Sequence, residues 1–137
     1  MTAAAGGYTR ALLSDLPTLP DGEAAWAPVR RALDIAAFGV NAFTAAQSGS
    51  IVIEDHDESD SRHEELYVVL AGRAEFTIDG DTFDAPAGTL VAVRDPALRR
   101  VAHARQDQTT VLAVGGVAGQ AFEPQEWEKR GAAAVER

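Results

Sequence analysis

Residues 65–80 constrain the fold of this chain more than any other segment. Residues 65–70 form an apolar run typical of a β-strand, and Gly72 separates it from residues 74–78, where apolar and polar side chains alternate. The second run ends at Asp79-Gly80, a dipeptide that favours a tight turn between antiparallel strands. The segment therefore predicts consecutive β-strands joined by short turns.

The same two-residue period extends over most of the chain. It predicts eight short strands, at residues 38–44, 50–54, 65–70, 74–78, 82–85, 90–93, 98–102 and 110–114. Short strands at this spacing are typical of a sandwich or barrel. Residues 1–22, rich in Ala, Gly and Pro, predict an irregular arm, and Pro28 limits residues 23–33 to a short turn of helix. Residues 125–130 predict a short C-terminal helix.

Length and composition predict one domain. A chain of 137 residues with 46% hydrophobic residues can bury a single core. We divide it into an arm with a short helical turn at residues 1–37, a barrel at 38–120 and a tail at 121–137. The chain contains no cysteine, so a metal ion would need His, Asp or Glu ligands.

Charge and hydropathy limit the partners. The net charge of −9 disfavours nucleic acid and anionic membrane surfaces, both of which select clustered Lys and Arg. The first residues lack a basic start followed by a long apolar region, and no apolar run approaches the roughly 18 residues of a membrane span. We therefore expect a cytoplasmic protein whose partner is a small molecule.

Imidazole and carboxylate side chains gather around the start of the third predicted strand. His56 and His63 precede Glu65 closely, and this combination on a β scaffold indicates a metal site or an acid/base site. Because residues two apart share a face of a strand, His63, Glu65 and Tyr67 are expected on the same face.

The same segment resembles the first motif of the cupin superfamily, which is His-x-His, three or four residues, Glu, six residues, Gly. Glu65 and Gly72 match it, Ser59 and Ser61 stand where histidines are expected, and His56-Asp57-Glu58 replaces His-x-His if the loop is longer. The strand and turn order from Gly72 to Val114 also resembles cupins. The resemblance implies an all-β, single-domain antiparallel jelly-roll barrel of the RmlC-like type, with an N-terminal arm and a short C-terminal helix.

The second cupin motif has the pattern Gly, five residues, Pro-x-Gly, two residues, His, three residues, Asn. One alignment puts Val91 in the histidine position. We prefer the other, which places a turn at Asp95-Pro96, Arg99 in the histidine position and His103 in the asparagine position. In both alignments the motif histidine is absent, so the resemblance implies that the usual three-histidine metal site is lost.

The resulting hypothesis is a cupin that binds a small polar or anionic molecule in its barrel without that metal site. A guanidinium inside a barrel can clamp a carboxylate or phosphate, and only one of the adjacent Arg99 and Arg100 can face inward. The expected ligand pocket consists of Glu65, Arg99, His63, Tyr67 and His103.

Two alternatives stay open. The first is a metal-dependent cupin enzyme, an isomerase, lyase or oxygenase, with Zn, Fe, Mn or Ni on His56, His63, Glu65 and His103. The positive charge of Arg99 opposes a cation there. The second is a structural or regulatory dimer scaffold. Under each hypothesis a homodimer is expected, in which the N-terminal arm covers a sheet edge of its partner.

Overall fold

The computed structural model describes residues 6–135, which form two antiparallel β-sheets that enclose a common core. The predicted arm and tail extend beyond this range, and residues 1–5 and 136–137 lie outside the described residues. The ten strands are β1 (Leu19–Asp21), β2 (Ala24–Ala27), β3 (Gly39–Ala45), β4 (Ile51–His56), β5 (Glu64–Ala71), β6 (Arg73–Ile78), β7 (Asp81–Pro86), β8 (Leu90–Val93), β9 (Arg100–Ala104) and β10 (Thr109–Gly116).

The first sheet has six strands in the order β1-β2-β3-β10-β5-β8, and the second has four in the order β4-β9-β6-β7. All pairings are antiparallel. The eight predicted strands are all present, with ends that differ by at most two residues from those expected. The all-β antiparallel fold is thereby confirmed.

The first two strands were not predicted. Residues Leu19–Asp21 and Ala24–Ala27 form a hairpin whose second strand pairs with β3, with Trp26 opposite Phe43. The expectation of irregular structure is wrong here because the pairing depends on the edge that β3 offers. A local sequence of Pro, Ala and Gly gives no two-residue period to reveal it.

Helical structure is confined to the chain ends. A 3-10 turn covers Leu13–Asp15, and helix α1 (Val29–Leu33) follows Pro28, as expected of a residue that cannot donate a backbone hydrogen bond. The tail forms a 3-10 helix at Glu126–Lys129 and continues as helix α2 (Arg130–Val135). Among the described residues, no helix has the length and apolar character required to cross a membrane.

Two hydrophobic clusters stabilise the fold. The larger lies between the sheets and includes Tyr67, Val69, Phe76 and Val111, each no more than 1% exposed. The smaller lies on the outer face of the six-stranded sheet, where Leu16 and residues of α1 cover part of β3.

A buried ion pair ties the tail to helix α1. Arg30 Nε and Nη2 donate to the two carboxylate oxygens of Glu128 at 2.5 and 2.9 Å, and Arg30 Nη1 donates to the carbonyl oxygen of Ile35. Glu128 is only 2% exposed. Its hydrogen bond to the guanidinium raises the pKa of Arg30 against the opposing effect of burial. The pair therefore holds the C-terminal segment against the barrel.

Gly72 should be far more sensitive to substitution than another glycine of similar conformation. Its φ is 74°, and a Cβ there would lie 2.4 Å from Thr109 Oγ1 and 2.8 Å from Thr109 Cα. Gly80 has a φ of 84° but nothing within 4 Å of a Cβ. We expect Gly80→Ala to cost about 1 kcal/mol and Gly72→Ala about 2–4 kcal/mol, because only the second also forces a steric overlap. Urea unfolding of both variants measures the difference, and equal losses would contradict the packing argument.

Candidate functional site

A cavity of about 400 Å³ lies at the barrel interior, a size within the range of small-molecule sites. Its walls come from strands β3, β4, β5 and β10, from the loop after β4 and from the C-terminal segment. Most of the sequence-predicted candidates lie here: His56, His63, Glu65 and Tyr67 all line the cavity.

Glu65 is held by two donors from the barrel interior. Arg100 Nη1 donates to Glu65 Oε1 at 2.8 Å, and Tyr67 Oη donates to the same oxygen at 2.5 Å. Arg100 is completely buried, and its Nε donates to the carbonyl oxygen of Leu98 at 3.0 Å. The inward face of β5 therefore places Glu65 and Tyr67 together, as alternation predicts.

The inward arginine is Arg100, and the expectation that Arg99 faces the pocket is wrong. The Arg99 side chain is 62% exposed, and its Nε lies 2.9 Å from Asp55 Oδ1. Along β9, Arg100, Ala102 and Ala104 are buried in alternation, which turns Arg99 outward. The sequence carried this signal, because the positions Leu98, Ala102 and Ala104, which share a face with Arg100, are apolar.

His103 also lies outside the pocket. It lies on the outward face of β9, opposite Ile51 and Glu75 in the neighbouring strands, and it does not line the cavity. Its predicted place in the ligand pocket and among the metal ligands is therefore wrong.

His56 lies between acceptors on both sides of its ring. Its Nδ1 is 2.7 Å from the carbonyl oxygen of Glu54, and its Nε2 is 2.9 Å from Glu58 Oε2 and 3.6 Å from Glu65 Oε1. A carbonyl accepts only, and so does an ionised carboxylate, so both ring nitrogens must carry a proton. His56 is therefore a second cation at the site.

Glu58 connects His56 to the C-terminal segment. Its Oε1 accepts from Ser61 Oγ at 2.5 Å and from Gln125 Nε2 at 3.1 Å. The same amide nitrogen lies 3.4 Å from His63 Nδ1. His63 precedes β5 and is 7% exposed, so it forms part of the wall and stands apart from the Arg100 group.

Ionisation of these groups follows their surroundings. Burial lowers the pKa of His56, but hydrogen bonds to Glu58, Glu65 and the Glu54 carbonyl outweigh it and raise the pKa to about 10. Burial raises the pKa of Glu58, and this is outweighed by its bonds to His56, Ser61 and Gln125, so the net pKa is lowered. Burial, followed by the charge of Glu65, raises the pKa of Tyr67 well above its usual value.

Other walls of the cavity are aromatic or carry unused polar atoms. Phe43, Phe122 and Trp127 line it, and Trp127 contacts Trp26 edge to face at a centroid distance of 4.9 Å. Asn41 also lines it and is 7% exposed, yet within the described part of the chain its Oδ1 has no hydrogen-bond partner. Asn41 lies two residues before Phe43 on β3, so both point into the barrel.

The residues present fit a resident metal ion poorly. Among residues 6–135, His56, Glu58 and Glu65 form the one group of three potential ligands, whose ligand atoms lie within 4.8 Å of one another. Metal binding requires neutral imidazole and free carboxylate oxygens, whereas here His56 is doubly protonated and Arg100 engages Glu65. Two protein cations, His56 and Arg100, thus lie against the carboxylates of this group.

Sequence reasoning missed several wall residues. Asn41 and Gln125 carried no motif signal, and the tail that supplies Gln125 and Trp127 lies outside the region of family resemblance. Glu58 was considered only as a replacement for the second motif histidine, and the structure brings it next to His56.

The stability contributed by His56 should fall as pH rises. Its folded-state pKa, about 10, exceeds the ordinary value of 6.5, so the contribution is complete below pH 6.5 and is lost as pH rises through about 10. We expect the stability difference between wild type and His56→Gln to shrink across this window. Urea unfolding at several pH values measures it, and nitrogen NMR of the ring checks the titration directly. A constant difference would contradict the imidazolium assignment.

Comparison with known proteins identifies the fold. No protein-family model matches the chain, and no curated protein does. A cupin protein from Bacteroides fragilis is 18% identical with a TM-score of 0.61, covering 88% of this chain and 93% of that one. An RmlC-like cupin from Shewanella frigidimarina is 13% identical with a TM-score of 0.61, and the match covers 82% of this chain and 96% of that one. PAC13 from Streptomyces, solved with uridine, is 15% identical with a TM-score of 0.59, and the match covers 91% of this chain and 88% of that one. The chain therefore has the jelly-roll fold of the cupin superfamily.

Proposed function

We propose that the barrel binds a small polar organic molecule and that protein cations, rather than a metal ion, hold its carboxylates. The observation that carries this proposal is the state of Glu65, whose Oε1 accepts from both Arg100 and Tyr67. His56 provides a second internal cation beside Glu58. The carboxylates that would hold a metal ion are thus engaged by the protein itself.

The size and the walls of the cavity support a small organic ligand. A cavity of about 400 Å³ lined by the aromatic rings of Phe43, Tyr67, Phe122 and Trp127 and a few convergent polar groups is typical of such sites. Asn41 Oδ1 is a buried acceptor without a partner, and buried polar atoms ordinarily have one. The fold neighbour PAC13 was solved with uridine, a polar molecule.

The walls favour a polar ligand over an anionic one. The anionic expectation depended on an inward Arg99, which instead pairs with Asp55 at the surface. Among residues 6–135, the cavity is lined by two cations, His56 and Arg130, and by seven carboxylates, Asp21, Glu54, Asp55, Asp57, Glu58, Glu65 and Glu128. An anion entering it would meet charges of its own sign.

A cavity-filling substitution tests the proposal. Ala113 lines the cavity on β10, whereas Ala46 lies exposed just after β3 and outside the cavity. We expect neutral polar fragments to shift the amide NMR signals of wall residues in wild type and in Ala46→Phe, but not in Ala113→Phe, which fills the space. Unchanged amide NMR signals from strands away from the cavity verify that Ala113→Phe folds. Failure of all fragments to bind wild type, or identical binding to Ala113→Phe, overturns the proposal.

A metal-dependent enzyme is the second candidate, and one distance favours it. The ligand atoms of His56, Glu58 and Glu65 lie within 4.8 Å of one another, close enough to share an ion. Elemental analysis of protein purified without added metal separates the two functions. We expect far less than one metal ion per chain; one ion per chain in wild type and none in His56→Ala would establish the metal instead.

We further propose that the protein is a homodimer, formed through the free edge of the six-stranded sheet. Leu66, Leu70 and Leu90 on β5 and β8 are 36%, 47% and 67% exposed, and adjacent exposed apolar side chains on an edge favour association.

Two single substitutions distinguish this edge from the N-terminal arm, where Leu12 is 69% exposed. We expect light scattering to show a dimer for wild type and Leu12→Glu and a monomer for Leu90→Glu, because a carboxylate at the edge is desolvated on pairing. Dissociation by Leu12→Glu alone would show that the arm, and not the sheet edge, forms the dimer contact. A monomeric wild type would refute the dimer.

A further inference from the structure

Two of the cavity carboxylates face each other without a cation to pair with. Asp21 ends strand β1 and Glu54 lies on β4, and both side chains line the cavity close to each other. Gly22 brings the two strands together, since a Cβ there would lie 2.5 Å from Glu54 Oε1. Among the described residues, neither carboxylate has a Lys, Arg or His side chain within 4.0 Å.

The other carboxylates of the cavity differ in this respect. Glu65 pairs with Arg100, Glu58 with His56, and Glu128 with Arg30. Asp55 and Asp57 both lie within 4.0 Å of Arg99. The cavity therefore contains one carboxylate pair that the protein leaves without a direct ion-pair partner.

The two cations that act on Glu54 are engaged elsewhere. The charges of His56 and Arg130 both act on Glu54, but His56 Nε2 lies 2.9 Å from Glu58 Oε2. The Arg130 guanidinium lies over the Trp26 ring, 5.3 Å from the centroid, and its Nε donates to the Trp127 carbonyl oxygen at 3.2 Å. The charge of Asp21, followed by burial, raises the pKa of Glu54. The two carboxylates thus repel each other, and a bound cation would relieve this repulsion.

An independent observation also indicates a ligand with donors. Asn41, 7% exposed, lines the same cavity, and its Oδ1 has no hydrogen-bond partner among residues 6–135. Only an N–H or O–H group can satisfy that oxygen. Phe43, Phe122 and Trp127 line the remaining wall, and the faces of such rings attract cations.

We infer that the ligand is an organic cation, a protonated amine on an apolar or aromatic body, whose ammonium group binds Asp21 and Glu54 while a donor meets Asn41. This inference rests on the proposed small-molecule function and names its ligand class. An inorganic divalent ion is the competing occupant, but hard cations such as Ca²⁺ take six to eight oxygen ligands, and these three side chains supply fewer.

Three indole compounds that differ in charge test whether the cavity prefers a cationic ligand. Tryptamine, tryptophol and indole-3-acetate share a ring and differ in carrying a cationic, neutral or anionic group. By calorimetry at neutral pH we expect tryptamine to bind about tenfold or more tightly than indole-3-acetate, since juxtaposed like charges oppose binding, with tryptophol between them. CaCl₂ and MnCl₂ titrations form the inorganic arm.

Substitutions assign the charge to the proposed pair. We expect Asp21→Asn and Glu54→Gln each to weaken tryptamine about two- to fivefold, as for loss of one partly exposed charge pair, and to leave tryptophol unchanged. Asn41→Ala should weaken both compounds, since it removes a shared acceptor. Asp81→Asn is the matched control, because Asp81 is an exposed carboxylate on β7 outside the cavity.

The outcomes separate this inference from the function on which it rests. Binding of neutral fragments together with equal affinity for tryptamine and indole-3-acetate overturns the cation assignment and leaves the cavity proposal intact. Absence of any organic ligand overturns both. If Asp81→Asn weakens tryptamine binding equally, the effect comes from the net charge of the protein and the assignment to Asp21 and Glu54 is overturned. If Ca²⁺ or Mn²⁺ binds saturably, displaces tryptamine and requires Asp21 and Glu54, the pair is a metal-ion site instead.

Discussion

The contact between Arg100 and Glu65 determines what the barrel interior can do. A guanidinium keeps its proton in a protein, so a completely buried Arg100 requires a compensating anion, and removal of one partner from such a pair costs about 3–5 kcal/mol. Glu65 supplies that anion from 2.8 Å. Because the same oxygen also accepts from Tyr67, the carboxylate is fixed in direction before any ligand enters. The other charged groups of the cavity lie around this fixed pair.

Both ends of the chain complete the cavity. The N-terminal hairpin contributes Asp21, and the C-terminal segment contributes Phe122, Gln125 and Trp127. Their positions depend on contacts far from the barrel core, above all the pairing of Glu128 with Arg30 across 98 residues of sequence. Residues that carry the family resemblance therefore make only one side of the site, and a ligand would also contact residues of the N-terminal hairpin and the C-terminal segment.

The sequence predicted the eight barrel strands because each has its own alternation and its own turn, both of which are local properties. It could not predict β1 and β2, which are held by pairing with β3. Within the site, Glu65 and Tyr67 followed from alternation on β5. Arg100 was available from the same argument on β9, where an inward arginine interrupts an otherwise apolar face. Asn41 and Gln125 were not, since their roles arise from distant segments that meet only in the folded chain.

Pairing, rather than the number of charges, decides which ligand sign the cavity favours. A guanidinium inside the barrel suggested an anionic ligand, yet Arg99 is engaged by Asp55 and Arg100 by Glu65. The net charge of −9 is equally uninformative, since most cavity carboxylates have partners. Among the described residues that line the cavity, Asp21 and Glu54 lack an ion-pair partner within 4.0 Å, and the Oδ1 of Asn41 lacks a hydrogen-bond partner. These three groups are acceptors, so a ligand complementary to them brings donors and positive charge.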